Sequence, residues 1–141
     1  MKLILFVLTL AVWLSACCPQ RKEPPLPTDA IGWKDYQEGT FKYLGRFLLK
    51  KGESIDNGKV QIKVLELMPP DCPSEAASFE HLTRVRLQFR DLSNQRICED
   101  VFPEDGGGGR CDLIGDDESR IYVGVRAINL KEGWVYFVIF E

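Results

Sequence analysis

The chain has 141 residues, 45% hydrophobic and 28% charged, with a formal net charge of −3. This is the balance of one globular domain and it excludes a disordered chain. The small negative charge also argues against a nucleic-acid partner, whose phosphates need a basic field.

Residues 1–16 read as an export leader. Lys2 precedes the apolar run of residues 3–14, LILFVLTLAVWL, which suits a signal h-region and is too short to cross a bilayer. The leader ends Leu14-Ser15-Ala16-Cys17. An ordinary secretory cleavage site wants small residues at −1 and −3, and Leu14 is bulky. An aliphatic residue, two small residues and a cysteine resemble the bacterial lipobox. The resemblance covers the first 17 residues. It implies a lipoprotein: cleavage before Cys17, a diacylglyceryl group on its thiol, an acyl chain such as palmitate on the new amine, and membrane anchorage through that lipid. Among Gram-negative lipoproteins, an Asp after the lipidated cysteine marks inner-membrane retention. Cys18 stands there instead, which implies, for a host with two membranes, the outer membrane facing the periplasm.

Residues 17–38 are expected to form the lipidated N-terminus, a tether and a lead-in to a folded domain over 39–141. Prolines 19, 24, 25 and 27 fix φ and remove donors, so the stretch 19–30 is predicted to be extended and semi-rigid. At about 3.1 Å per residue, such a spacer would hold the domain roughly 35 Å from the lipid.

From residue 39 onward the dominant period is two, the pattern of half-buried strands. Thr40–Leu49 is the first strand candidate. Asp56-Asn57-Gly58 is a turn signal before the alternating Val60, Ile62 and Val64. Val85, Leu87 and Phe89 alternate with Arg84, Arg86, Gln88 and Arg90, giving one apolar and one basic face. Gln95–Phe102 follows across a tight turn at 92–94. Ile121, Val123, Val125 and Ala127 lead to a turn at 131–133 and a closing strand over 134–140. One short helix is expected at Ser74–His81, where Pro73 and Ser74 open it and two alanines favour it. These signals predict an all-β fold: an antiparallel two-sheet sandwich, immunoglobulin-like or transthyretin-like, of six or seven strands with one short helix. A small closed β-barrel is the alternative.

The closing strand is apolar on both faces. Trp134, Tyr136, Val138 and Phe140 share one, and Val135, Phe137 and Ile139 the other. Either it is a central strand covered on its second face by the Ser74–His81 helix or the segment 31–36, or Trp134, Tyr136 and Phe140 form an exposed patch that docks a partner.

Export permits disulfides. With Cys17 set aside for lipid, Cys18, Cys72, Cys98 and Cys111 allow three pairings. Cys98–Cys111 is favoured because it would close the loop containing Gly106 to Gly109, worth roughly 3 kcal/mol in the chain-entropy model. Cys72 with either is the competitor, and Cys18 can stay unpaired. No CxxC or Cys/His spacing points to zinc.

Signals for catalysis are weak. His81, the only histidine, reads as a surface residue, and no GxSxG, HExxH or GxxxxGK[ST] pattern occurs. The acidic stretch 99–118 could offer calcium the oxygens of Asp105, Asp112, Asp116 and Asp117, but it lacks the DxDxDG spacing and reads first as a solvated loop. No cofactor beyond the lipid on Cys17 is expected. The leading expectation is a non-catalytic envelope lipoprotein whose sandwich binds another envelope protein or supports an assembly. The alternatives are a calcium- or small-ligand-binding lipoprotein and an inhibitor of a periplasmic hydrolase.

Overall fold

The structure, a computed structural model, describes residues 21–70, 82–105, 109–111 and 121–140. It is all-β. The strands are β1 (Gly32–Glu38), β2 (Phe41–Lys50), β3 (Ser54–Asp56), β4 (Val60–Met68), β5 (Arg84–Asp91), β6 (Ile97–Pro103), β7 (Gly109–Cys111), β8 (Ile121–Asn129) and β9 (Trp134–Phe140). They form two antiparallel sheets. One is five-stranded, in the order β1-β2-β9-β8-β7, and the other four-stranded, in the order β3-β4-β5-β6. The sheets stack as a sandwich and do not close into a barrel.

Alternation builds the core. Val60, Ile62 and Val64 on β4 and Val85, Leu87 and Phe89 on β5 are fully buried. They meet Phe47, Leu49, Val123, Val125, Val135, Phe137 and Ile139 from the other sheet. Phe89 stands edge-on to Phe102 with ring centroids 5.9 Å apart. At Gly45 the inner face is crowded: a Cβ there would meet the Gly32 carbonyl oxygen and lie 2.6 Å from the Phe47 ring, so only glycine lets that ring lie flat against β2. The β3–β4 hairpin shows the turn chemistry of its sequence. Asn57 Oδ1 accepts from the Lys59 and Val60 amides at 3.0 Å each, and Gly58 takes φ +83°.

Three strands escape the sequence reading. β3 and β7 are three residues long, too short to display a period. β1 carries only Trp33 and Tyr36 as apolar anchors, and a bulge between them breaks its alternation. The sandwich therefore begins at Gly32 and not at residue 39. The segment 31–36 is an edge of the five-stranded sheet rather than a cover over β9. The expected helix at Ser74–His81 lies outside the described residues.

Cys98 carries a free thiol, half-buried, so the favoured Cys98–Cys111 bridge is not formed in the structure. Its side chain shares the inner face with Phe89, its neighbour across the ladder, and packs against the core, where a cysteine serves as a small hydrophobe. Cys17, Cys18 and Cys72 lie outside the described residues. The edge strand β6 protects itself: Asp100 pairs with buried Leu87, so it takes an inward-facing position, yet it stays exposed. A charge placed there discourages pairing by a further strand.

Candidate functional site: the outer face of the five-stranded sheet

β9 is the central strand of its sheet. Val135, Phe137 and Ile139 point into the core, which leaves Trp134, Tyr136, Val138 and Phe140 on the outer face. All three sequence-predicted partner residues, Trp134, Tyr136 and Phe140, therefore share that face, but in two different environments.

At the Trp134 end the face is covered, and the cover is the proline-rich segment. Ile31 donates its amide to the Arg46 carbonyl on β2 at 3.2 Å. Asp29 pairs with Arg46 at 2.7 Å. Further back, the Pro24 carbonyl accepts from Asn129 Nδ2 at 3.1 Å, and Glu23 accepts the Leu130 amide at 2.9 Å. Arg21 donates to Glu104 at 2.8 Å and to the Ile128 carbonyl. The segment thus crosses from β2 over β9 to the end of β8 as a strap. Its prolines leave few amide donors, so it lies on a sheet face without extending the ladder. Trp134, outside the core cluster, is nevertheless only 2% exposed, and its indole N–H donates to Glu132 at 3.0 Å. From residue 21 onward the expected spacer is therefore part of the folded body, because its polar groups find partners on β2 and at the end of β8.

Asp29 ties the middle of the strap. A hydrogen bond from the Tyr136 hydroxyl, assisted by the Arg46 guanidinium, holds its carboxyl below the ordinary value of 3.8. Partial burial raises the Tyr136 phenol, and the hydrogen bond to Asp29 adds to it.

At the Phe140 end the face is open and tiled with rings. Tyr36 stacks on Tyr43 at 4.7 Å with an interplanar angle of 7°. Phe140 stacks on Tyr122 at 5.5 Å and meets Phe41 edge-on at 5.9 Å. Arg46 sits 4.6 Å over the Tyr36 ring, a cation–π placement. Arg126, in the bulge of β8, spans β9 to donate to the Tyr43 hydroxyl at 3.4 Å. Tyr43 is buried beneath these neighbours, while Phe41 is 52% exposed.

The sequence reading missed Tyr36, Phe41, Tyr43 and Tyr122. A signal for one of them exists: Tyr122 stands out of phase with Ile121 and Val123. Phe41 and Tyr43 have the same sequence parity as Phe47 and Leu49, and only the β2 bulge after Tyr43 turns them to the outer face. The strap contacts of Arg21, Glu23 and Asp29 have no local signal at all.

Of the acidic calcium candidates, Asp105 is exposed at φ +52°, and its amide donates to the Val125 carbonyl at 3.0 Å. Asp112, Asp116 and Asp117 lie outside the described residues, as does His81. Among the described residues no group of three or more metal-competent side chains converges. Comparison of the chain with protein-family models, curated proteins and solved structures finds no match.

Proposed function

We propose that this is a non-catalytic envelope lipoprotein, anchored through a lipid on Cys17, whose sandwich docks another envelope protein on the open aromatic end of its outer face. The observation that carries the docking is the group Tyr36, Phe41, Tyr122 and Phe140, partly or largely exposed on a sheet face and flanked by Arg46 and Arg126. An outward sheet face is ordinarily polar, as on the other sheet of this molecule. Aromatic and arginine side chains in one patch have the composition of interface hot spots. The lipobox at 14–17 supports the anchor.

The test is cross-linking in the native envelope with the full chain and with Phe41→Ser and Phe140→Ser. One specific protein adduct, lost in both variants while melting temperatures hold, is the expected result. An adduct that survives both substitutions would move the docking elsewhere, and the absence of any specific adduct would refute it. Cys17→Ser is expected to release the protein from membranes; unchanged retention and unchanged mass in that variant would remove the anchor.

A further inference from the structure

The strap sets the distance between body and anchor. Arg21 is pinned to Glu104 and the Ile128 carbonyl. Only four peptide links separate Arg21 from Cys17. Even fully extended, they span no more than about 14 Å. A lipid on Cys17 would therefore hold one corner of the sandwich at the bilayer, where a free tether would let the body stand well away.

The charges at that corner are sorted. Among the described residues most of its carboxylates turn onto the protein, the exposed Asp105 beside Glu104 being the exception. Glu104 accepts from Arg21 and from the Ile128 amide, and Glu23 takes the Leu130 amide. Glu132 takes the Trp134 indole, and Glu53 takes the Lys50 amide at 2.7 Å. Lys51 donates its amide to the Gly133 carbonyl at 3.1 Å, which brings its turn beside the β8–β9 turn. Lys22, Lys51 and Lys131 are all exposed there.

From the short link and this sorting of charge we infer that the corner formed by Arg21, the β8–β9 turn and the Lys51 turn is a membrane-contacting surface, resting on phospholipid headgroups with its lysines toward the phosphates. The inference rests on the lipid-anchor reading above. Lysines close to an anionic surface are attracted to it within a Debye length. The open aromatic patch lies roughly 20 Å along β9 from this corner, clear of the contact.

Neutron reflectometry of the full lipidated protein in a supported phosphatidylcholine–phosphatidylglycerol bilayer tests this, with mass spectrometry of the N-terminus on the same material. The expected profile is a protein layer touching the headgroups with no water gap. Releasing the strap with Arg21→Ala, Glu23→Ala and Asp29→Ala together should open a gap, up to the roughly 45 Å that the links from Cys17 to Gly32 can span. Replacing Lys22, Lys51 and Lys131 by glutamate should tilt or lift the layer. A lipid-bearing wild-type protein separated from the headgroups by a water gap overturns the inference, and that measurement decides by itself if the strap variant does not fold. A glutamate variant with the wild-type profile overturns the part given to the lysines. Material lacking lipid on Cys17 refutes the anchor reading, a result distinct from a lipidated protein held off the surface.

Discussion

The two sheets present opposite outer faces. On the four-stranded sheet, every second residue of β5 is charged or polar: Arg84, Arg86, Gln88 and Arg90. Its cross-strand pairs are the ordinary ones of a solvated face, Arg86 with Glu66 at 3.4 Å and Gln88 with Glu99 at 2.7 Å. Such exposed pairs contribute about 0–1 kcal/mol. On the five-stranded sheet, the outward positions of β9 are Trp134, Tyr136, Val138 and Phe140, under a strap at one end and among open rings at the other. The difference teaches that one sheet is a wall and the other a wall with something laid against it. The strap is one occupant; the proposed partner would be a second.

The largest effect expected is on the shared core. Phe137→Ala, on the inner side of β9, should destabilise by about 3–5 kcal/mol, while Gln88→Ala on the solvated wall should stay within about 0.5 kcal/mol. Urea unfolding measures both. Trp134→Ala should cost about 3 kcal/mol although its side chain points away from the core; a value near that of Gln88→Ala would mean that the strap does not cover it. Arg21→Ala removes a donor shared by Glu104 and the Ile128 carbonyl and should cost about 1–2 kcal/mol. Limited proteolysis should then cut within 21–31 faster than in the wild type, and equal rates would show the strap to be loose already.

The smallest effect is a dependence on pH. At the end of β5, Asp91 accepts from the hydroxyl and amide of Ser93 and from Asn94 in the turn that follows. These bonds, the Ser93 hydroxyl first, hold its carboxyl below the ordinary 3.8. Asp29 on the strap is lowered as well. A depressed carboxyl takes up its proton less readily folded than unfolded. Its contribution is therefore complete above the ordinary value and is lost as pH falls through the lowered one. Urea midpoints should decline between about pH 5 and about pH 3, less steeply in Asp91→Asn; parallel declines would place the linkage elsewhere.

Much of this architecture was legible in the residues. The alternation of β4, β5 and β8 names the core directly, and the Asp56-Asn57-Gly58 turn sits where its chemistry places it. The strong strands show because each buries one side chain in two against the facing sheet. Bulges hid other elements: after Tyr43 and between Trp33 and Tyr36, a one-residue shift reverses which parity faces inward. The site was half visible. The double-sided apolarity of β9 pointed to Trp134, Tyr136 and Phe140, but Tyr36 and Tyr43 join them only through the pairing of β1 with β2 and of β2 with β9.

The sequence by itself determined an all-β sandwich and a closing strand apolar on both faces, since both are written in contiguous residues. Only the tertiary structure decided that the proline-rich stretch from Arg21 to Ile31 is a strap and that its cover stops short of Phe140. Proline sets the stretch as extended wherever it lies. Its position depends on hydrogen-bond partners about 100 residues away in the chain, at Glu104, Ile128 and Asn129, and no local pattern can encode a contact made across the whole fold.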